Sequence, residues 1–548
     1  MFWWDKSQRV VYSQRTMRTS TGSGRNVLCA RCVTLLVLAA TLVLSSCAIS
    51  HKPRGFAPVA AKADFAQGTS DQRDKPRKIA IFFDGTANDE GSDTNLKRLH
   101  SLVTLQNRGD IASLYILGVG TDMDALGAVT GSGINARVQI AYEFILNHYR
   151  SATPERKADE VYIFGFSRGA YSARILTTML YFAGIVEEGK PKPPGSPRRY
   201  TTTDIAEATH KAMFPRFMAG DVNEHYLRPD DIAKMLPEGL SSAVDYKLRI
   251  PVPVKVLGLW DTVEALGMFA ILGQRTKIAF RSTPPEFDVD NPNRRYGERM
   301  CNVEYAFHAV SIDDNRATVF TPLLLSRDHL FADCFGPEGY AKASPGHAAF
   351  LSPMLDDSGN IAAGHLQEVW FSGAHSDVGG GYLNSELNGV SLNWMLKRIK
   401  EAAPDLLPER IAYPVGAREP VRYVRENAFG GSHDPTIGIW VVYPRVTRDL
   451  VEYAFHNKSL WGPELCVDKS VFTRRSLIGF ETHEYDQLYL TAPGTVQLSP
   501  GPYGKGRDWN WLRQHPSDGK SESFKSIAVK QYPDCTFMKE PTRLKVIK

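Results

Sequence analysis

The run Val161-Tyr162-Ile163-Phe164-Gly165-Phe166-Ser167-Arg168-Gly169-Ala170 restricts the folds open to this chain more than any other stretch. Val161 to Phe166 is branched, aromatic and uncharged, the content of a strand buried on both faces. From Arg168 the chain runs without proline as far as Pro191, and a helix is expected over Arg168 to Leu176. Gly165-Phe166-Ser167-Arg168-Gly169 therefore lies where a strand hands over to a helix. It has the G-x-S-x-G pattern, which holds a serine on a sharp, strained turn. The flanking glycines have a steric reason, because a side chain at either would collide with the adjoining strand or helix. Five-residue matches of this kind also arise by chance, so Ser167 counts as a nucleophile only if a base and an acid can be found for it.

Other strands follow the same style. Ile79 to Phe83 is an apolar run stopped by Asp84-Gly85-Thr86, and Leu114 to Val119, Val254 to Trp260 and Glu368 to Ser372 are further short runs. Ile134 to Tyr149 reads as a helix leading to the strand before Ser167. Widely spaced strands alternating with helices predict an α/β fold. That fold is a mostly parallel sheet with helices on both faces, here with insertions and a less regular C-terminal region. "TIGIWVVYPRV" is expected as a late strand, and "LSPGPYGKGRDWNW" as loop.

In open α/β sheets the chemistry gathers just past the carboxyl ends of strands. Ser167 occupies one such end, Asp261 in "LGLWDTV" a second, and His375 in "FSGAHSDVGGGY" a third. Serine, acid, histidine is the chain order of α/β-hydrolases. The residue types fit a division of labour. The imidazole takes the hydroxyl proton and returns it to the leaving group, while the carboxylate fixes the ring tautomer and stabilises the imidazolium. Glu264 and Asp377 are rival acids, and Asp261 could instead cap a helix. His375 could belong to a plain glycine-rich turn. Gly85 and Thr86 follow a strand where such folds supply one oxyanion donor, the other being the backbone N–H of Arg168. Asp84 either caps that turn or enters the site.

Charge matters once it is divided along the chain. The formal excess of +5 lies entirely in the first 46 residues, which hold six Lys or Arg against Asp5 alone. The rest is neutral, so the basic balance gives no reason to expect a nucleic-acid partner. Those residues read as a lipoprotein signal peptide, 1–47, with a twelve-residue apolar run (Val33 to Leu44) followed by Ser45-Ser46-Cys47. An acylated Cys47 would anchor the protein in the bacterial envelope. Ala48 after the cysteine, rather than Asp, points to the outer membrane, on its periplasmic side or its surface. Met17 as the start would give the signal an ordinary length. Residues 48–76 are expected as a tether, 77–490 as the hydrolase domain with an insertion near 184–246, and 491–548 as an extension. Cys301, Cys334, Cys466 and Cys535 include no C-x-x-C pair, which argues against zinc and leaves disulfide pairing open.

"FFDGTAND", "GFSRGAYSAR", "LGLWDTV" and "FSGAHSDVGGGY", in this order, resemble the α/β-hydrolase domain of the G-x-S-x-G class of type VI secretion phospholipase effectors. Many uncharacterised bacterial and fungal proteins carry the same domain. "YAFHAVSIDDNRATVFTP" and "KSVFTRR" are similar to further blocks of that family, and the resemblance spans roughly residues 77 to 490. It implies a phospholipase or related esterase acting on phospholipid or another acyl ester, with Ser167, Asp261 and His375 at the catalytic positions and no cofactor. The lipobox departs from the family pattern, so delivery as an effector and residence in the envelope both stay open. Two other readings compete. In one, Asp84, Asp261, His375 and Asp377 bind a divalent cation for metal-dependent hydrolysis. In the other, the chain is a non-catalytic envelope lipoprotein. Apolar "ALGMFAILGQRTKIAF", next to the acid, and the basic, proline-rich segment 189–200 are candidate covers for a lipid pocket.

Overall fold

A computed structural model of the protein describes residues 60–62, 75–85, 93–104, 108–118, 134–187, 201–218, 227, 229–236, 247–248, 252–263, 299–314, 316, 320, 322–325, 330, 334, 342, 352–356, 361–382, 386–408, 425–433, 448, 464–476, 494–496 and 527–532. Signal and lipobox, Thr86, Glu264, the strand expected at 436–446 and both candidate covers lie outside these residues. Among the described residues no helix is long and apolar enough to cross a membrane.

In chain order the strands are β1 (Ala60–Lys62), β2 (Lys78–Phe83), β3 (Ile111–Ile116), β4 (Glu160–Phe166), β5 (Val186–Glu187), β6 (Lys247–Leu248), β7 (Val254–Trp260), β8 (Val303–Ser311), β9 (Leu366–Phe371), β10 (Glu464–Val467), β11 (Gly494–Val496) and β12 (Ile527–Gln531). The helices are α1 (Asn95–Thr104), α2 (Ile134–His148), α3 (Arg168–Phe182), α4 (Thr202–Met218), α5 (Pro229–Ala233), α6 (His375–Gly379), α7 (Asn388–Ala402) and α8 (Lys469–Ser476). One ten-stranded sheet runs β1-β3-β2-β4-β7-β8-β9-β10-β12-β11. All pairings from β3 through β12 are parallel, and only the flanking β1 and β11 run antiparallel. This is the expected α/β architecture.

Alternation along the strands divides the core into two layers. Ala80, Phe82, Tyr162, Phe164, Phe166, Val256, Trp260, Phe307 and Phe371 face a cluster with Leu96 and Leu99 of α1 and Leu392, Met395 and Ile399 of α7. Against the opposite face lies α3, all fifteen of whose residues are buried, with α2 packed on it and α4 packed on α2. A helix buried all round carries no polar stripe, which is why Arg168 to Phe182 shows weak amphipathicity in sequence.

Several boundaries differ from expectation. The strand expected at 114–119 sits three residues earlier, because the Arg137 guanidinium draws off the carbonyls of Leu117 and Gly118 (2.9 and 2.8 Å). Part of the segment expected as a tether pairs with β3 as an edge strand, and Pro58–Lys548 forms a unit distinct from Met1–Ala57. Residues 494–496 and 527–531 join the sheet, so the boundary expected at 490 cuts through it. β5 and β6 pair antiparallel at the base of the insertion. Cys301 and Cys334 form a disulfide, with Cα atoms 5.7 Å apart, and Cys466 is also disulfide-bonded.

Candidate active site

Ser167 lies between β4 and α3 at φ 59°, ψ −127°, a conformation that L-residues rarely adopt. The adjoining glycines show what compels it. A Cβ on Gly165 would stand 2.5 Å from Ala170 Cα, and one on Gly169 would stand 2.1 Å from the Phe83 carbonyl oxygen. With no side chain between them, α3 descends directly onto the end of β2, and the serine takes up the strain. Asp261, one residue past β7, has φ 38°. Among the described residues these two are the only non-glycine positions of positive φ, so backbone strain concentrates at the site.

Three parallel strands place the side chains. Ser167, Asp261 and His375 follow β4, β7 and β9, and the histidine opens the short helix α6. The Ser167 hydroxyl donates to His375 Nε2 at 2.7 Å, and His375 Nδ1–H donates to Asp261 Oδ2 at 2.5 Å. Ser167, Asp261 and His375 are buried, and Phe166 and Phe320 lie against the imidazole with ring centroids 4.8 Å away. Burial pushes the His375 imidazole below its ordinary value, against the hydrogen bond it donates to Asp261 and the charges of Asp261 and Asp314. A base so poised is neutral, with Nε2 open to the serine proton.

The acid is held from behind. Ser311 gives Asp261 its N–H (2.9 Å) and its hydroxyl (3.2 Å). Arg448, also buried, donates Nη1 to Oδ1 at 2.7 Å and Nη2 to Oδ2 at 2.9 Å. Burial alone would raise the Asp261 carboxyl, but the Arg448 charge and the His375 hydrogen bond hold it below the usual carboxylate range. A second buried pair steadies the same turn. Glu368 accepts from His308 Nδ1–H at 2.8 Å, and His308 Nε2 accepts the N–H of Thr262 at 3.1 Å. Beyond β8, Asp313 accepts the N–H of Gly373 (2.7 Å) and Asp314 that of His375 (3.2 Å). Arg316 pairs with Asp314 and lies over the Phe320 ring.

The remaining candidates divide. Asp377 does not reach the His375 ring; it accepts from Ala374 N–H (3.0 Å), His433 N–H (2.9 Å) and His433 Nδ1–H (2.6 Å). It ties the histidine loop to residues 432–433, a structural role. Asp84 is buried and accepts from Tyr115 and from Thr94 (2.7 Å), and its Oδ1 takes the Gly85 N–H at 2.7 Å. The Gly85 amide is thus directed at Asp84 rather than toward Ser167, which corrects its expected role as oxyanion donor and leaves Thr86 as the candidate on that turn. Arg168 opens α3, where amides point toward the turn. Asp84, Asp261 and Asp377 each face a separate set of donors, so the four residues of the metal alternative do not converge. Among the described residues no group of three or more His, Cys, Asp or Glu is arranged for a metal ion.

Sequence reasoning missed Arg448, Ser311, Asp313, Asp314, Arg316, His308 and Glu368. "SIDDNR" at the end of β8 was findable, since β8 lies between the strands of the acid and the histidine. Arg448, 187 residues from Asp261, carries no local signal.

The family described as type VI secretion, phospholipase effector Tle1-like, catalytic domain, matches residues 77–398. An uncharacterised protein of Saccharomyces cerevisiae, YEL023C, is 26% identical over 132 residues, covering 21% of this chain and 18% of that protein. Among solved structures, an uncharacterised protein from Pseudomonas aeruginosa is 18% identical, with TM-score 0.31 over 63% of this chain and 48% of the other. The Tle1 effector bound to the VgrG spike is 19% identical, with TM-score 0.24 over 59% of this chain and 58% of that one. Est1E from Butyrivibrio proteoclasticus is 13% identical, with TM-score 0.20 over 60% of this chain and 89% of that one. The chain thus spans less than a fifth of its yeast relative and about half of the first two structures.

Proposed function

This chain belongs, through residues 77–398, to the family of Tle1-like phospholipase effector catalytic domains, and on that premise we propose that it is a serine hydrolase cleaving acyl esters of phospholipids. The observation that carries the reading is the unbroken relay from the Ser167 hydroxyl through His375 to Asp261, at 2.7 and 2.5 Å. His375 Nε2 takes the Ser167 proton as Oγ attacks the ester carbonyl. The oxyanion is met by the Arg168 N–H at the N-terminus of α3 and by the turn after β2. Collapse expels the alcohol, which receives the proton from His375 and leaves an acyl-serine. Water, deprotonated by the same histidine, then releases the fatty acid. Asp261 keeps the Nδ1–H tautomer throughout.

A fluorophosphonate probe, which labels only an activated serine, tests the triad. Label mapped to the Ser167 peptide and absent from Ser167→Ala supports it, and label elsewhere refutes it. Fatty-acid release from phosphatidylethanolamine or phosphatidylglycerol vesicles, set against a soluble short-chain ester, tests the lipid. Hydrolysis of the short ester alone would leave a plain esterase. Activity that survives Ser167→Ala and is lost with chelator would favour the metal-dependent alternative. A lipid anchor at Cys47 belongs to the same proposal, and the Cys301–Cys334 disulfide accords with an oxidising compartment. Palmitate labelling of wild type but not of Cys47→Ala is the expected result; equal labelling of both refutes it.

A further inference from the structure

The Asp261 carboxylate receives more than a triad requires. Besides His375 Nδ1–H it takes the Ser311 N–H and hydroxyl and both terminal nitrogens of Arg448. The arginine is itself fixed: Nη1 also donates to Ser311 O and Oγ (2.6 Å each), and Nη2 donates to Phe320 O at 2.8 Å. Both side chains of the Arg448–Asp261 pair are fully buried. A planar guanidinium bidentate on a carboxylate fixes both oxygens at once, which a lysine cannot do.

We infer that Arg448 is a positioning residue of the triad, balancing the buried Asp261 charge and holding the carboxylate in register on His375 Nδ1 while reducing its pull on the imidazolium. Without the arginine, the buried carboxylate would face the imidazole uncompensated and lose its register on Nδ1. With it, His375 feels a compensated pair. The other charged groups facing His375 are compensated too. Asp314, which accepts the His375 N–H, is paired with Arg316, and Asp377 on α6 is paired with His433. Arg448 lies beyond residues 77–398, so the family's catalytic domain in this chain is completed from outside its matched segment. The inference rests on the hydrolase reading for its kinetic consequences but not for its charge balance.

The test is the pH profile of kcat/KM on a soluble p-nitrophenyl ester for wild type, Arg448→Gln and Arg448→Lys. With the cation removed, the midpoint of the acid limb should rise by about one pH unit, and kcat should fall about 10- to 100-fold as the acid loses register. Lysine keeps the charge without the fork, so its midpoint should stay at the wild-type value while kcat falls. An unmoved midpoint in Arg448→Gln, or equal movement in both variants, would overturn the inference. Should Arg448→Gln fail to fold, the thermal midpoint of the Asp261→Asn/Arg448→Gln pair decides. Charge balance expects the neutral pair to be more stable than Asp261→Asn alone, and a less stable pair overturns it. This comparison needs no turnover, so it stands apart from failure of the esterase reading.

Discussion

Gly169→Ala tests whether close approach of α3 to β2 builds the nucleophile turn. The new Cβ would lie 2.1 Å from the Phe83 carbonyl oxygen and 2.5 Å from that of Asp84. Ordinary contact needs about 3.5 Å, and both obstacles are backbone, so α3 and the β2 end must part by about 1 Å. Overpacking of this kind costs about 1–3 kcal/mol of stability. The kinetic cost should be larger, because the same displacement carries Ser167 and the Arg168 amide away from the Asp84-Gly85 turn. A shift of that size costs about 100-fold in kcat. Gly258→Ala is the control: its Cβ meets the Phe164 ring at 2.6 Å and Met395 Sδ at 3.2 Å, side chains of the core layer under α7, on the sheet face opposite α3. Hydrolysis of a short-chain ester, with fluorophosphonate titration to count competent sites and a thermal melt for each variant, separates the two effects. Both variants should melt lower, and only Gly169→Ala should lose kcat per titrated site. A Gly169→Ala enzyme within about threefold of wild-type kcat would show that the elbow tolerates the displacement and that the steric reasoning is wrong.

Three further expectations follow from the same geometry. Ser167→Ala and His375→Ala should each lower kcat by more than about 1,000-fold, and the double variant should lose little more, since both serve one proton transfer; near-additive losses would count against the relay. His375 works as the neutral base and burial lowers its pKa, so kcat/KM should hold as pH falls past 6.5 and decline only below it; a midpoint above 7 would contradict this. Paired Cys301→Ser and Cys334→Ser replacements remove a link of sequence separation 33 and should cost about 3–4 kcal/mol on a loop-entropy basis, measured by urea unfolding; an unchanged unfolding midpoint would show that the link does no stabilising work.

What the sequence made legible was local. Val161 to Ala170 announces a strand, a strained turn and a helix within ten residues, because each glycine answers a contact made by its near neighbours or by the adjacent strand. Val254 to Trp260 was readable because a central parallel strand is apolar on both faces. β8 was harder, since Glu304, His308 and Ser311 interrupt its apolar run. His308 and Ser311 are buried because Glu368 on β9 and Asp261 just past β7 satisfy them. Those partners are 60 and 50 residues away. The edge strands β1 and β11, and β12 beside the latter, were missed for a related reason: pairing at the margins of an existing sheet demands little of a sequence. The Gly85 amide was misassigned because chain order cannot show that the Asp84 side chain folds back onto its own turn.

The buried charges around His375 form a set whose members are matched at short range. Asp261 has Arg448, Asp314 has Arg316, and Asp377 has His433, whose imidazole is raised by that hydrogen bond. Glu368 rests on His308 and on the Leu325 amide (2.6 Å). An unmatched carboxylate within about 4–6 Å would lift the histidine by about 1–3 pKa units and protonate it at neutral pH. Matching each one leaves burial, supplied by Phe166 and Phe320, as the leading influence on the imidazole. Charge substitutions and apolar substitutions should therefore both raise its titration, by different routes. Removing a cation leaves a carboxylate unbalanced and carries the acid limb upward. Opening the aromatic wall, as in Phe320→Ala, admits water, weakens the burial penalty and moves the limb toward 6.5 without touching an ion pair. That two chemically unlike changes should shift one titration the same way follows from a base kept neutral by its surroundings rather than by its carboxylate.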